Sequence, residues 1–261
     1  MSIRRVGTGI PGLDKLMDGG FPVNSVVLVS GAPGTGKSIL CMQFLYHGAR
    51  NNEPGLYVTF EQTEKELIDN AKEVGFDFEP LIRKGKLKVM HINLGMFEQA
   101  MVDVDDLMKT IAGEVKRMKA KRLVIDSLSS LINVFTLGHL GKKVESDIVE
   151  IGKIKLIPLV INEKPIVRTI IWNVIDGLKK TGCTCLATSE LIEGQKGFSR
   201  DSISEFECDG IILLQHITSG GGANRTLNVI KMRKTKIDDR IYPIEITNEG
   251  IVLKEPEELY K

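Results

Sequence analysis

Gly31-Ala32-Pro33-Gly34-Thr35-Gly36-Lys37-Ser38 is the stretch from which the rest of the chain is read. It fits G-x-x-x-x-G-K-[ST] at every fixed position. Gly31, Gly34 and Gly36 carry no Cβ and can take positive φ, so successive backbone N–H groups can turn inward toward an anion. The pattern predicts that Lys37 brings its ammonium to the β- and γ-phosphates of a nucleotide while the Ser38 hydroxyl fills one coordination place on Mg²⁺. A helix opening at the end of the loop would add its unpaired N–H groups and positive dipole end, so the phosphate site is expected over Gly31 to Ile39.

The flanks agree with that reading. Ser25–Ser30 is a short apolar, β-branched run that predicts a buried parallel strand, and Ile39–Leu45 continues as a helix. A second buried-strand pattern, Gly55-Leu56-Tyr57-Val58-Thr59-Phe60-Glu61, ends in an acid. Helices are predicted at about Lys65–Val74 and Val104–Met118, with a strand over Lys86–Ile92 between them. Arg122-Leu123-Val124-Ile125-Asp126 is another short apolar strand ending in an acid, where ligands sit in open α/β sheets. Asp126 is therefore expected as the second magnesium-side ligand with Ser38; its plainer reading is a helix N-cap ahead of Leu128–Ile132.

From about 138 to 165 the strand–helix alternation is interrupted. Lys142–Glu150 has apolar residues at helical spacing, and Ile154–Ile161 is strand-like with a central proline, the pattern of an edge hairpin or of an apolar surface for a partner. A helix at about Ile166–Lys180 leads to the strand Cys183–Thr188, and Thr188-Ser189-Glu190 closes it with polar groups facing the same cleft. Glu193–Ser204 reads as a polar loop. Beyond it Gly210–His216, Thr226–Met232, Ile241–Ile246 and Gly250–Leu253 read as a run of strands. The fold class is α/β: a mostly parallel twisted sheet flanked by helices, with antiparallel strands at the C-terminal end, over one domain of 261 residues.

Composition excludes several classes. Lys+Arg of 35 against Asp+Glu of 34 leaves +1, so there is no chain-wide attraction for nucleic acid. No stretch approaches the roughly eighteen apolar residues of a membrane span, and the first residues lack an apolar signal segment, so a cytoplasmic protein is expected. Cys41, Cys183, Cys185 and Cys208 show neither C-x-x-C nor zinc spacing and are read as reduced core thiols.

Thr8-Gly9-Ile10-Pro11-Gly12-Leu13-Asp14, Gly19-Gly20-Phe21-Pro22, the phosphate loop, Tyr57–Glu61, Val124–Leu128, Thr188–Glu190, Glu205-Phe206 with Asp209-Gly210, and Lys231-Met232-Arg233 stand in one order. That series resembles the KaiC-like ATPases of the RecA superfamily. The resemblance implies a RecA-type P-loop sheet that binds ATP with Mg²⁺, Glu61 acting on the attacking water, and an active site shared between subunits of a homo-oligomer, a hexamer being favoured. It also makes Lys231 and Arg233 the pair that acts on a neighbour's phosphates, with Arg225 at a further basic position. The plainer readings are a solvated acid at the start of the next helix for Glu61, and a solvated edge strand for the basic pair.

The sequence departs from the family at four places. Gln62 replaces a second glutamate and cannot accept a proton, so slow hydrolysis is expected. Asn24 stands where glycine is usual, and Lys234 and Ile237 flank Thr235 where glycine and histidine are usual. The expected function is a regulatory ATPase switch acting on an oligomer or a protein partner. A DNA-binding recombinase of the RecA type and a non-catalytic nucleotide-sensing scaffold are the two alternatives, and the motifs do not separate ATP from GTP.

Overall fold

In the computed structural model, the described residues are 3–95, 103–146, 149–151, 154–156, 164–192, 197–219 and 222–256. Nine strands form one sheet in the order β13-β12-β11-β10-β3-β9-β6-β4-β5. Its centre is β3 (Val26–Gly31), parallel to β9 (Thr184–Glu190) on one side and to β10 (Gly210–Ser219) on the other. From β9 the parallel set continues through β6 (Arg122–Asp126) and β4 (Gly55–Thr59) to β5 (Leu87–His91). Past β10 the sheet turns antiparallel through β11 (Gly222–Met232), β12 (Tyr242–Thr247) and β13 (Gly250–Leu253). A short ribbon of β1 (Arg5–Val6) and β2 (Phe21–Pro22) precedes β3.

Every residue of β3 and β4 is buried, because helices cover both faces of the sheet. Alternate residues then feed two cores. Val27, Val29, Tyr57 and Val124 face α1 (Lys37–Arg50) and α2 (Glu64–Glu73), while Val26, Leu28, Val58 and Ile125 face α4 (Val104–Met118), α5 (Leu128–Ser146) and α6 (Lys164–Lys180). The short helix α3 (Glu79–Arg83) and the one-turn α7 (Ser204–Glu207) are further helices, and a 3-10 turn spans Leu13–Met17 ahead of β2.

Helix ends follow local chemistry. Thr63 caps α2 in a reciprocal box with Glu66, and Asp103 caps α4 through the Asp106 N–H. Glu61 therefore lies ahead of the α2 cap and is not an acid of its first turn. In the interrupted region, α5 ends at Ser146 and does not reach the expected Glu150; Val149–Ile151 and Ile154–Leu156 pair instead as the antiparallel strands β7 and β8, in keeping with their β-branched alternation. Residues 157–163, the rest of the expected strand and its proline, lie outside the described residues.

Two departures from the family pattern have a backbone explanation. Asn24 has φ 62° and Lys234 has φ 57°, both in the left-handed region that glycine occupies at no steric cost. Asparagine tolerates that region well; lysine does so with strain.

One structural feature gave no sequence pattern. Arg122 is 2 % exposed. Its guanidinium donates to Glu53 Oε2 at 2.8 and 2.5 Å and to Phe44 O at 2.7 Å, and lies 4.5 Å from the Phe44 ring centre. Gly48 makes room for it, since a Cβ there would sit 2.2 Å from Arg122 Nε.

Candidate nucleotide site

Strand register brings the motif residues to one edge. Gly31 is level with Glu190, and Thr59 with Asp126, so the C-terminal ends of β3, β9, β6 and β4 open on a common cleft. The phosphate loop leaves β3, with Gly34 at φ 78° and Gly36 at φ 106°, and α1 begins at Lys37. Ile246 and Ile251 of the β12–β13 hairpin pack over Gly36, a contact the motif alone does not show.

Lys37 is 9 % exposed and folds back on its own loop, donating from Nζ to Gly31 O at 2.9 Å and Ala32 O at 3.0 Å. Burial lowers its pKa, while Glu190 and then Asp126 pull it up. An arriving phosphate oxygen would compete with two neutral carbonyls, a weaker hold on the ammonium than an anion gives.

Asp126 is the most heavily bonded acid of the cleft. Its Oδ2 accepts from Ser38 Oγ at 3.0 Å and Tyr57 Oη at 2.5 Å, and its Oδ1 from Thr188 Oγ1 at 2.6 Å. Burial, then the neighbouring Asp126, pushes the Tyr57 phenol well above its ordinary range, so it remains a donor. The N-cap alternative for Asp126 does not describe this geometry, because its side chain faces α1 and β9. Ser38 and Asp126 together present hard oxygen donors of the kind Mg²⁺ selects, so the residues present fit that ion. Tyr57 and Thr188 were not singled out as Asp126 partners. A lone tyrosine within an apolar strand was the available signal, since a buried phenol needs an acceptor.

Glu61 sits in the bend after β4, exposed, with Oε1 accepting from Ser127 Oγ at 3.2 Å and Ser130 Oγ at 2.5 Å at the start of α5. Beside it, Gln62 Oε1 is buried without a hydrogen-bond partner among the described residues.

The basic residues divide into two places. Arg225 Nε donates to Gly34 O at 3.2 Å and so lies against this chain's own phosphate loop. Lys231 pairs in register with Ile211, itself level with Leu28, roughly 10 Å down the sheet from Gly31. Lys231 Nζ donates to Cys208 O at 2.8 Å and Glu205 O at 3.0 Å, and Arg233 to Asp209 Oδ1 at 3.1 Å and Phe206 O at 2.9 Å. The pair therefore grips the Glu205–Asp209 turn, away from its own phosphate loop. The solvated-edge alternative is corrected in one respect: β11 lies between β10 and β12, although β12 pairs only with Thr226 and Leu227.

A family model described as the KaiC ATPase matches residues 6–144 and 134–258. A UPF0273 protein of Methanocaldococcus jannaschii is 35 % identical over 96 % of this chain and 96 % of its own length. The circadian clock oscillator protein KaiC of Picosynechococcus is 30 % identical over 95 % of this chain, which spans only 44 % of that protein. Among solved structures, a KaiC-like protein from Pyrococcus horikoshii superposes with a TM-score of 0.77 at 31 % identity, covering 97 % of this chain and 100 % of that one. No helix among the described residues is long and apolar enough to cross a membrane.

Proposed function

The chain belongs to the KaiC ATPase family, and from that premise we propose that it binds ATP with Mg²⁺, hydrolyses it slowly, and works as a switch whose active site a second copy completes. The observation that carries this reading is the Ser38–Asp126 oxygen pair at 3.0 Å, set beside Lys37 at the mouth of the phosphate loop.

In this reading the loop N–H groups and Lys37 hold the phosphates, Lys37 exchanging its two carbonyl partners for phosphate oxygens. Ser38 and Asp126 hold Mg²⁺, which when bound neutralises phosphate charge. Tyr57 and Thr188 keep the Asp126 carboxylate aimed at that place. Ser127 and Ser130 hold Glu61 so that one carboxylate oxygen takes the proton of the water attacking the γ-phosphorus, with ADP as leaving group. Gln62 supplies no base at the second position, which keeps turnover slow. Lys231 and Arg233 are too far down the sheet to serve their own loop, so they serve a neighbour's, in a hexamer-sized assembly.

Three of the basic residues that a DNA-binding reading would use have acidic partners within the chain. Arg200 lies 3.6 Å from Glu190, Arg233 bonds Asp209, and Arg240 bonds Asp238.

The test is Mg²⁺-dependent ATP turnover against protein concentration, with molar mass in solution followed with and without ATP. Specific activity is expected to rise with concentration as the assembly forms. ATP binding by a monomer with no turnover at any concentration would replace this reading with a nucleotide-sensing scaffold.

A further inference from the structure

The β12–β13 hairpin is tied to the rest of the sheet at few points. β13 is an edge strand, and β12 joins β11 through two residue pairs, Thr226 with Pro243 and Leu227 with Tyr242. The hairpin nevertheless packs on the phosphate loop: a Cβ at Gly36 would meet Ile246 Cδ1 at 3.4 Å and Ile251 Cδ1 at 3.5 Å. Two ladder pairs leave that placement to contacts outside the ladder.

Gln43 supplies them. Gly36 caps α1, and Leu40 and Gln43 follow it at helical spacing on one stripe, with Gln43 about two turns below the loop. Gln43 is 4 % exposed. Its Oε1 accepts from the Ile251 N–H at 2.7 Å, and its Nε2 donates to Ile251 O at 3.1 Å and to Gly9 O at 3.0 Å. One side chain thus satisfies both backbone groups of Ile251, a residue that touches Gly36, and both of its own N–H donors and its oxygen are engaged in doing so.

The surrounding chain is shaped for this approach. Gly250 has φ 96°, and a Cβ there would sit 2.5 Å from both Gln43 Oε1 and Phe76 Cζ, while a Cβ at Gly75 would run into Asn248 O. The hairpin tip is therefore wedged between α1 and the end of α2. At its other end the Leu253 N–H donates to Pro11 O at 3.2 Å. The segment that presents Gly9 O and Pro11 O is itself fixed, since Asp14 Oδ1 accepts from the Thr8 N–H at 2.8 Å and Thr8 Oγ1 from the Ile10 N–H at 3.1 Å. Residues 8–14, a motif that the phosphate chemistry does not use, thus carry two carbonyls that hold Gln43 and the hairpin.

We propose that Gln43 is a positioning residue for nucleotide: it latches the β12–β13 hairpin onto α1, so that Ile246 and Ile251 brace Gly36 and keep the phosphate loop in its binding shape. The loop N–H groups turn inward only while Gly34 and Gly36 hold their left-handed angles, and glycine leaves many other angles open. A loop braced in advance loses less freedom when phosphates arrive. Without the latch the loop samples other shapes, and affinity falls with the fraction of time it is competent. The effect on nucleotide rests on the reading above, whereas the latch itself does not.

The experiment compares the full wild-type chain with Gln43→Met, Ile246→Ala and the double variant by two measurements. Stopped-flow release of a fluorescent ADP analogue with Mg²⁺ reads the loop, and amide hydrogen exchange reads the hairpin. Gln43→Met keeps the side-chain length and removes the latch; Ile246→Ala keeps the latch and removes part of the brace at a partly buried position, a milder change to the core. Each single variant is expected to release the analogue about 5- to 10-fold faster, and the double variant no more than about 2-fold faster than the larger single, because both act through one contact. Amides of residues 244–253 are expected to exchange at least about 10-fold faster in Gln43→Met, with β3 and β4 unchanged. Unchanged release in both single variants, or effects that multiply in the double variant, overturns the positioning role. Equal hairpin exchange in wild type and Gln43→Met overturns the latch. If the wild type binds no analogue, the nucleotide reading fails and takes the positioning role with it, while exchange still decides the latch.

Discussion

Lys37 and Lys231 are alike in chemistry and opposite in setting. Both are partly desolvated, both donate to backbone carbonyls of their own chain, and burial is the first cause lowering the pKa of each. Their other neighbours differ. Lys37 stands among the acids Glu190, Asp126 and Glu61, whereas the next influence on Lys231 is a second cation, Arg233. The phosphate side has the acids that a metal requires and a single lysine to meet the phosphates. The far edge has paired cations held by Asp209 and by backbone carbonyls of its own turn. Each region supplies what the other lacks, and the sheet keeps them apart within one chain.

The backbone repeats the contrast. Left-handed positions in the phosphate loop are glycines, Gly34 and Gly36, while the left-handed position beside Arg233 is Lys234. The loop reaches its shape without strain and the edge turn does not.

Substitutions test that division, the largest effect coming first. Lys37→Ala removes the phosphate-side cation and should lower turnover by at least about 10³-fold with loss of ATP binding, measured by steady-state hydrolysis and nucleotide titration. Arg233→Ala should lower turnover about 10²- to 10³-fold while leaving the affinity of an isolated chain for ATP unchanged. A loss of monomer affinity in that variant would break the comparison, because it would place Arg233 on its own loop. Gly48→Ala touches neither lysine but drives a methyl into the Arg122 guanidinium behind α1. It should cost about 1–3 kcal/mol in denaturant unfolding, with the phosphate side released first. The smallest effect sharpens the backbone contrast: Lys234→Gly should raise unfolding stability by about 0.5–1 kcal/mol, whereas Asn24→Gly should change it little.

The phosphate side was legible because its chemistry is local. Eight consecutive residues give the loop, and β6 announces itself as an apolar run closed by Asp126. The same locality explains why α4, β5 and β13 fall within a residue or so of their expected bounds. What the sequence did not reveal is held across long stretches of chain. The Tyr57 and Thr188 hydroxyls reach Asp126 over 69 and 62 residues, and Arg225 reaches Gly34 over 191. Arg122 read as an ordinary strand end, since nothing local shows that Glu53 and Phe44 O will enclose it. Lys231 and Arg233 were recognised through family order, and only the folded chain shows them bound to the Glu205–Asp209 turn.

A mixing experiment tests the shared site most directly. Lys37→Ala chains keep the edge cations and lose the phosphate lysine, and Arg233→Ala chains do the reverse. Each alone should be nearly inactive, and an equimolar mixture assembled with ATP should recover roughly a quarter of wild-type turnover, the fraction of interfaces that join an intact loop to an intact edge. A mixture no more active than the sum of its parts, from chains shown to co-assemble, would contradict the account.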